Sequence, residues 1–175
     1  MSAHCRSVWR AGNFREGELQ HVVRGLVRVD VYVAAFSLDG LMEHDTELDT
    51  TVCCTDTHGY TEVVMATAAL LGYELAPRIK DVKDQTLYKM DGQDPILSET
   101  IKPHVIRNAW DRTVRVIASM EERIVSPSMV LQRLGSYARQ NCVYQTLSEI
   151  GCVQKTIHIL KTLDNEEYRR RMDAN

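Results

Sequence analysis

Residues 48–79 constrain the fold more than any other part of the sequence, because their pattern changes twice within a short length. Residues 48–56, LDTTVCCTD, are rich in threonine, valine and cysteine, which predicts a deeply buried strand. The run EVVMATAALL at 62–71 is apolar on most faces and predicts a buried helix. Residues 73–79, YELAPRI, predict a short second strand. This order predicts a βαβ unit with two parallel strands.

The boundaries of this unit are marked by residues with known end preferences. Thr61 can cap the helix at its start, and Gly72 ends it. Pro77 has no backbone N–H and therefore cuts the second strand short.

The flanking segments differ in character. Residues 25–36, GLVRVDVYVAAF, alternate valine with polar residues and predict a strand with one buried face, followed by a short helix at 37–45 capped by Ser37. Residues 83–102 are expected to form a connecting loop. From Pro103 onward the pattern is helical. Two apolar stripes are expected to be buried, formed by Ile106, Trp110, Ile117, Met120 and Ile124 and by Val143, Leu147, Ile150, Val153, Ile157 and Leu160.

Composition narrows the class of protein. No run of about 18 apolar residues is present, so no membrane span is expected, and the N-terminal residues lack the apolar core of a signal peptide. Cytoplasmic residence is the default expectation. Five cysteines without a CxxC pair favour reduced thiols over a zinc site. The net charge of -3 does not by itself indicate a nucleic-acid partner.

Asp56 stands at the end of the predicted strand 48–56, where functional side chains collect in α/β sheets. A carboxylate at such an edge suits Mg²⁺, which prefers oxygen ligands and keeps several waters. An aspartate before a helix also commonly caps it, and periodicity alone favours the cap. His58, two residues further on, fits either a contact to a substrate phosphate or an incidental place in the loop.

Four strings carry a more specific resemblance: TDTHGYT, LLGYELAPRIKD, LGSYARQN and YRRR. With the residues between them they resemble the catalytic region of the Tn-three family of replicative DDE transposases, from about residue 30 to the last residue. The resemblance implies a partial RNase H-like core at 26–82 within an α+β or α/β fold, followed by a loop and an all-α insertion at 83–175. Residues 1–25 do not match the family, and a frameshift or an alternative start would account for them.

The resemblance also implies a function. Such transposases cleave DNA at transposon ends and transfer the strands to a target, act as oligomers, and bind two Mg²⁺ ions with two aspartates and a glutamate. Asp56 corresponds to the second aspartate and is thus implied as a catalytic and metal-binding residue. The first aspartate is expected upstream of the matched segment and the glutamate downstream of it. Asp30 has the wrong spacing to replace the first aspartate.

With one of three acids, the chain is expected to be inactive alone and to hold Mg²⁺ poorly. The alternatives are a non-catalytic gene remnant and a weak DNA-binding helical module; a standalone nuclease is disfavoured because no acid set is complete. The protein is expected in the bacterial cytoplasm, associated with the nucleoid. Candidate DNA contacts are His58, Arg78, Lys80, Arg133, Tyr137, Arg139, Gln140 and Asn141, whereas Arg169, Arg170 and Arg171 are interpreted as a solvated helix face.

Overall fold

The computed structural model describes residues 29–42, 52–55, 60–79, 82–89 and 99–173. These residues form a mostly helical α+β structure with two small sheets. In chain order the elements are α1 (Val29–Met42), β1 (Val52–Thr55), α2 (Glu62–Leu70), β2 (Glu74–Pro77), a 3₁₀ turn (Val82–Asp84), β3 (Tyr88–Lys89), β4 (Glu99–Thr100), α3 (Pro103–Glu121), α4 (Pro127–Ser136), α5 (Cys142–Asp164) and α6 (Glu166–Asp173).

The predicted βαβ unit is confirmed. Strands β1 and β2 pair in parallel, with Val52 opposite Glu74 and Thr55 opposite Pro77, and α2 makes the crossover between them. The deep burial expected of β1 is wrong: Val52 is 45% exposed, and Cys53 is the one fully buried residue of the strand. The reason is that in the described part of the chain β1 has a single neighbouring strand, so its other edge is not covered by one.

Both ends of α2 lie where the sequence places them. The Thr61 hydroxyl accepts a hydrogen bond from the backbone N–H of Val64 at 3.4 Å and so caps the first turn. Gly72 has φ of 85°, a left-handed conformation that glycine adopts without steric cost, and it follows the last helical turn. All six residues from Val63 to Ala68 are buried, which confirms a helix buried on nearly all faces.

The strand predicted at 25–36 is wrong for the residues that the structure describes, because Val29–Met42 is helical. The helix also runs through Ser37, which therefore does not cap a new one. Ala35, Leu38 and Leu41 are buried and spaced by three, so they form one helix face that packs mainly against α4. Alternating valines are a weak signal that tertiary packing of this face overrides.

Helix α1 also completes the start of α4. Pro127 occupies the first turn of α4, as the sequence predicts, but the Ser126 side chain makes no capping hydrogen bond to the helix backbone. Instead the carboxylate of Asp39, on α1, accepts a hydrogen bond from the Ser128 N–H at 2.9 Å. A negative charge at a helix N-terminus is favourable, so this contact joins the two helices electrostatically as well as by packing.

The all-helical second half is confirmed, but its buried faces differ from the predicted stripes. In α3 the buried residues are Ala109, Thr113, Ile117 and Met120, whereas Trp110 is 42% exposed and Ile124, beyond the helix end, 68% exposed. In α5 the buried residues include Val143 and Leu147, as expected, but Ile157 and Leu160 are 41% and 46% exposed. The second half of α5 instead buries Thr156, His158 and Ile159. Small or hydrogen-bonded residues such as Ala109, Thr113 and Thr156 thus share the buried faces with large apolar ones.

The expected loop at 83–102 contains two short strands. β3 and β4 pair in parallel over two residues each, and the N–H of Ile101 donates to Lys89 O at 2.9 Å. The N–H of Tyr88 donates to the Thr156 hydroxyl on α5 at 3.0 Å. A strand of two residues is too short to show an alternating pattern in the sequence.

No helix in the part of the chain that the structure describes is long and apolar enough to cross a membrane.

Helix α5 approaches α2 unusually closely at Gly151. A Cβ atom added there would overlap the backbone carbonyl of Glu62, the first residue of α2. Nearby, the Lys155 ammonium lies 3.5 Å from the Glu62 carboxylate, and only 11% of the lysine side chain is exposed. The absence of a side chain at position 151 therefore sets the distance between the two helices.

We predict that Gly151→Ala lowers the free energy of unfolding by about 1–3 kcal/mol or more, which is the usual cost of overpacking a well-packed contact. The clash is with backbone atoms, which cannot rotate away. Gly135→Ala is the matched control, since an added Cβ in α4 meets nothing within 4 Å. It should be neutral or stabilise by up to about 1 kcal/mol. Urea denaturation followed by circular dichroism measures both, and equal midpoints for the two variants would contradict the prediction.

Candidate functional site

The carboxyl ends of β1 and β2 lie side by side. The backbone N–H of Arg78, the residue after β2, donates to the carbonyl oxygen of Thr55, the last residue of β1, at 2.9 Å. Asp56 directly follows Thr55 in the sequence, but Asp56, His58 and Lys80 lie outside the described residues. The geometry of this edge of the sheet therefore comes from Thr55, Pro77 and Arg78.

Two observations bear on the role of Asp56. First, Thr61 occupies the N-cap position of α2 and makes the capping bond, so this helix has its cap without Asp56. Second, the Thr55 hydroxyl oxygen is buried and has no hydrogen-bond partner among the described residues. A buried hydroxyl without a partner costs about 1–3 kcal/mol, and such groups often belong to sites that bind something further.

A metal site is not formed by the described residues alone. Within residues 29–42, 52–55, 60–79, 82–89 and 99–173, no three histidine, cysteine, aspartate or glutamate side chains converge closely enough to hold an ion. The predicted Mg²⁺ site would therefore need Asp56 together with acids outside these five ranges.

A pocket of about 210 Å³ opens at the end of β2. Pro77 and Arg78 line it from the strand, His158 and Thr162 from α5, and Arg169 from α6. Arg78 and Arg169 are both exposed at its mouth. Arg78 is a candidate DNA contact from the sequence, whereas Arg169 was expected on a solvated helix face; the structure brings the two to one pocket.

His158 closes the floor of this pocket and is 5% exposed. Its Nε2 lies 2.9 Å from the Pro77 carbonyl oxygen, which only accepts, so Nε2 carries the hydrogen and donates. The other ring nitrogen, Nδ1, lies 3.0 Å from the Tyr168 hydroxyl. Burial is the main cause that lowers the pKa of His158, which agrees with a neutral imidazole.

Glu74 and Lys161 complete the group around this histidine. The Lys161 ammonium donates to Glu74 Oε1 at 2.8 Å, and this bond is the main cause that lowers the pKa of the Glu74 carboxyl. The Tyr168 hydroxyl lies 3.3 Å from the same oxygen, and burial followed by the Glu74 charge raises the pKa of Tyr168 well above its usual value. These contacts join β2, α5 and α6.

The second group of predicted DNA contacts lies at the junction of α4 and α5. Arg133, Tyr137, Arg139 and Gln140 are exposed, and Tyr137 is 68% exposed. Asn141 has a structural role instead: its side-chain oxygen accepts from the N–H groups of Val143 at 2.9 Å and Tyr144 at 3.2 Å, which caps α5. An asparagine before an apolar helix is a signal for this role.

The two groups of candidate contacts are far apart. His158 lies sixteen residues after Cys142 on the same helix, so the pocket and the α4–α5 junction are separated by about 24 Å along α5. A single phosphate cannot contact both, and they form two separate candidate surfaces.

Sequence patterns do not identify the residues around His158. Glu74, His158, Lys161 and Tyr168 are spread over three elements, and no spacing between them is regular. The available signal in the sequence is His158 itself, a histidine among apolar residues of a helical segment. Such a histidine is more often a buried core residue than part of a functional site.

The family is established by comparison with known proteins. The model of the Tn3 transposase DDE domain matches residues 17–175, so the chain belongs to this family. The expectation that residues 1–25 do not match the family is therefore wrong for residues 17–25.

Three relatives illustrate the similarity. The chain is 36% identical to the transposase for transposon Tn501 of Pseudomonas aeruginosa over 155 residues. The aligned residues cover 85% of this chain and 16% of that protein. It is 38% identical over 141 residues to the transposase for transposon Tn1546 of Enterococcus faecium, 77% of this chain and 14% of that protein. The transposase for transposon Tn21 of Escherichia coli is 36% identical over 155 residues, with 85% and 16% covered. The chain thus spans about a sixth of the length of these relatives. No solved structure matches it.

We predict that His158 makes stability depend on pH. The unfolded chain binds a proton on this residue as the pH falls through its usual pKa of 6.5, whereas the folded protein binds it only at lower pH. Stability is therefore full above pH 6.5 and is lost as the pH falls below it. Glu74, Tyr168 and Lys161 are the other ionisable groups of this cluster, and Glu74 opposes the shift while Lys161 adds to it.

His158→Gln, which keeps a donor and an acceptor but cannot ionise, should flatten this dependence in urea unfolding curves between about pH 5 and 8. His104→Gln is the control, because His104 is exposed on α3 and should leave the slope unchanged. If the His158 variant keeps the full slope, its ionisation is not the cause.

Proposed function

We propose that this chain is part of the catalytic region of a Tn3-family transposase and that Asp56 is one of the carboxylates that hold its metal ions. The observation that carries the proposal is the position of Asp56 directly after β1, in the motif TDTHGYT, at the edge where two parallel strands end together. Functional groups of parallel sheets collect at this edge. The separate cap of α2 and the unpartnered Thr55 hydroxyl support a ligand site here over a purely structural role.

The fold proposed for residues 26–82 is part of an RNase H-like core, with 83–175 as a loop and helical insertion. The parallel β1–α2–β2 unit and the four helices after residue 102 are compatible with this division. Residues 1–25 are proposed to lie outside the core. Asp30 follows the first residue of α1, so the strand that made it a candidate for the first aspartate is not present.

The chemistry proposed for the complete enzyme is the cleavage of DNA at transposon ends and the joining of the strands to a target. Mg²⁺ ions bound by Asp56 and two further acids would activate the attacking oxygen and stabilise the leaving one. Within the 175 residues, Asp56 is the one acid that matches the motif, and a single carboxylate does not hold two ions in a fixed geometry. We therefore infer that this chain alone has no strand-transfer activity.

The proposed partners are transposon-end and target DNA and further transposase subunits. DNA as the substrate would bring the protein to the nucleoid, in the cytoplasm of a bacterial cell. The exposed residues Arg133, Tyr137, Arg139 and Gln140 support DNA contact, because arginine suits phosphate oxygens and exposed tyrosine and glutamine add donors.

The role of Asp56 is tested by placing residues 17–175 in the corresponding part of the Tn501 transposase and measuring transposition. Asp56→Ala should lower the frequency at least about hundredfold, because even residues that only support metal ligands contribute 10–100-fold. Asp111→Ala, at an exposed position on α3, is the matched control and should have no effect. A chimera that is inactive with Asp56 intact would contradict the assignment of these residues to the catalytic region.

The inactivity of the isolated chain is tested with a duplex that carries a transposon end, in Mg²⁺ or Mn²⁺. We expect no cleavage. Cleavage that disappears in Asp56→Ala would show that the chain by itself completes the acid set.

DNA contact at the α4–α5 junction is tested by the salt dependence of binding. Arg139→Ala should reduce the slope of log affinity against log salt by about 0.9, because one phosphate contact is lost. Tyr137→Ala should weaken binding with little change of slope, since the tyrosine is neutral. Fluorescence anisotropy with a labelled duplex measures both slopes, and an unchanged slope in the arginine variant would rule out this contact.

A further inference from the structure

We propose that the pocket at the end of β2 binds a phosphate of the DNA backbone, with Arg78 and Arg169 as its two cationic contacts. This inference rests on the proposed function and adds to it a specific contact beside the candidate metal-binding residue. The two arginines come from elements far apart in the sequence, and the fold brings both to one opening of about 210 Å³.

The chemistry of the pocket suits a phosphate. Guanidinium groups match the oxygens of phosphate with paired hydrogen bonds, and two of them at one opening provide the charge for one phosphodiester. The other lining residues include Pro77 and Val82, which are apolar and form a surface of low polarity beside the two guanidinium groups. Charge attraction is stronger where water is partly excluded. Among the described residues that line the pocket, none is acidic.

The position of Arg169 is fixed by its neighbour. The Tyr168 hydroxyl lies within hydrogen-bond distance of Nδ1 of the buried His158, whose Nε2 donates to the Pro77 carbonyl. The N–H of Arg169 donates to Asn165 O at 3.1 Å, within the first turn of α6. These contacts hold α6 against the end of β2, so both arginines line the same opening.

Two acids on the elements that line the pocket are paired with cations of the protein. Glu74, at the start of β2, is bound by the Lys161 ammonium at 2.8 Å and does not line the pocket. On α6, the Glu166 carboxylate is paired with Arg170 at 2.7 Å. Of the two consecutive arginines 169 and 170, the second is thus held by an acid on its own helix and the first lines the pocket.

The location favours backbone DNA over a free nucleotide. Arg78 is hydrogen-bonded through its N–H to Thr55, the residue before Asp56, so a phosphate held here lies beside the proposed catalytic strand end. The described lining offers no exposed aromatic ring on which a base could stack. Recognition would therefore be independent of base sequence.

The test is the salt dependence of duplex binding by the full chain, measured by fluorescence anisotropy. Arg169→Ala and Arg78→Ala should each reduce the log–log slope by about 0.9 and weaken binding at low salt about tenfold, the effect of losing one charge-assisted hydrogen bond. The change should be equal for a transposon end and for unrelated DNA. Arg170→Ala is the matched control, adjacent on α6 but outside the pocket, and should change the slope less.

Two further measurements separate the possible causes. Arg169→Lys keeps the positive charge and should therefore keep the slope of log affinity against log salt. Thermal melting should show that the Arg78→Ala, Arg169→Ala and Arg170→Ala proteins remain folded. Competition by inorganic phosphate should require far higher concentrations than competition by unlabelled duplex. Tight binding of free phosphate would indicate an anion site unrelated to DNA and would overturn the proposal.

The proposal of a phosphate site is also rejected if Arg169→Ala and Arg170→Ala reduce the salt-dependence slope equally, or if the chain binds no DNA. The first result leaves the proposed transposase function intact, because the Asp56 chimera measures that function by a substitution that leaves Arg169 unchanged. Failure of the Asp56 substitution to reduce transposition, with the arginine effects present, would instead reject the catalytic assignment and keep the phosphate site.

Discussion

The close contact between α5 and the start of α2 is the constraint on which the rest of the structure depends. Gly151 lets the two helices approach to backbone contact with Glu62, and the largely buried Lys155 is held beside it by the Glu62 carboxylate. Helix α2 is buried on nearly every face, and α5 is the helix that covers it most extensively. The first half of α5 also contacts α3 through Thr146, and its second half contacts β2, β3 and α6 through Thr156 and His158.

This arrangement explains how the carboxyl ends of two short parallel strands, β1 and β2, are held in fixed positions. Two strands of four residues have little stability alone. Here the end of β2 is held by the buried His158, which donates to the Pro77 carbonyl, and β1 is held to it by the Arg78–Thr55 bond. The strand ends next to Asp56 are thus positioned from α5. The role proposed for Asp56 would require such rigid support, because small displacements of a metal ligand are costly.

Sequence reasoning succeeded where local signals and burial agree. The βαβ unit was predictable because Thr61, Gly72 and the apolar run between them specify one helix with two ends. The family was predictable because its motifs are specific strings in order. The segment 25–36 failed, since alternating valines fit a strand and the burial of Leu38 and Leu41 on one helix face appears only when α4 is in place. The stripe ending at Ile157 and Leu160 failed for a related reason: α5 buries a different side in its second half.

The sequence by itself determined the order of the central elements, the helical second half and the family of the chain, whose string TDTHGYT is the ground on which Asp56 is proposed as a metal ligand. Only the tertiary structure decided that α1 is a helix, that Asp39 caps α4, and that Arg169 shares a pocket with Arg78. The physical reason is range. Caps, turns and periodicity act between residues a few positions apart, whereas these three features depend on contacts between elements separated by scores of residues, which no local pattern contains.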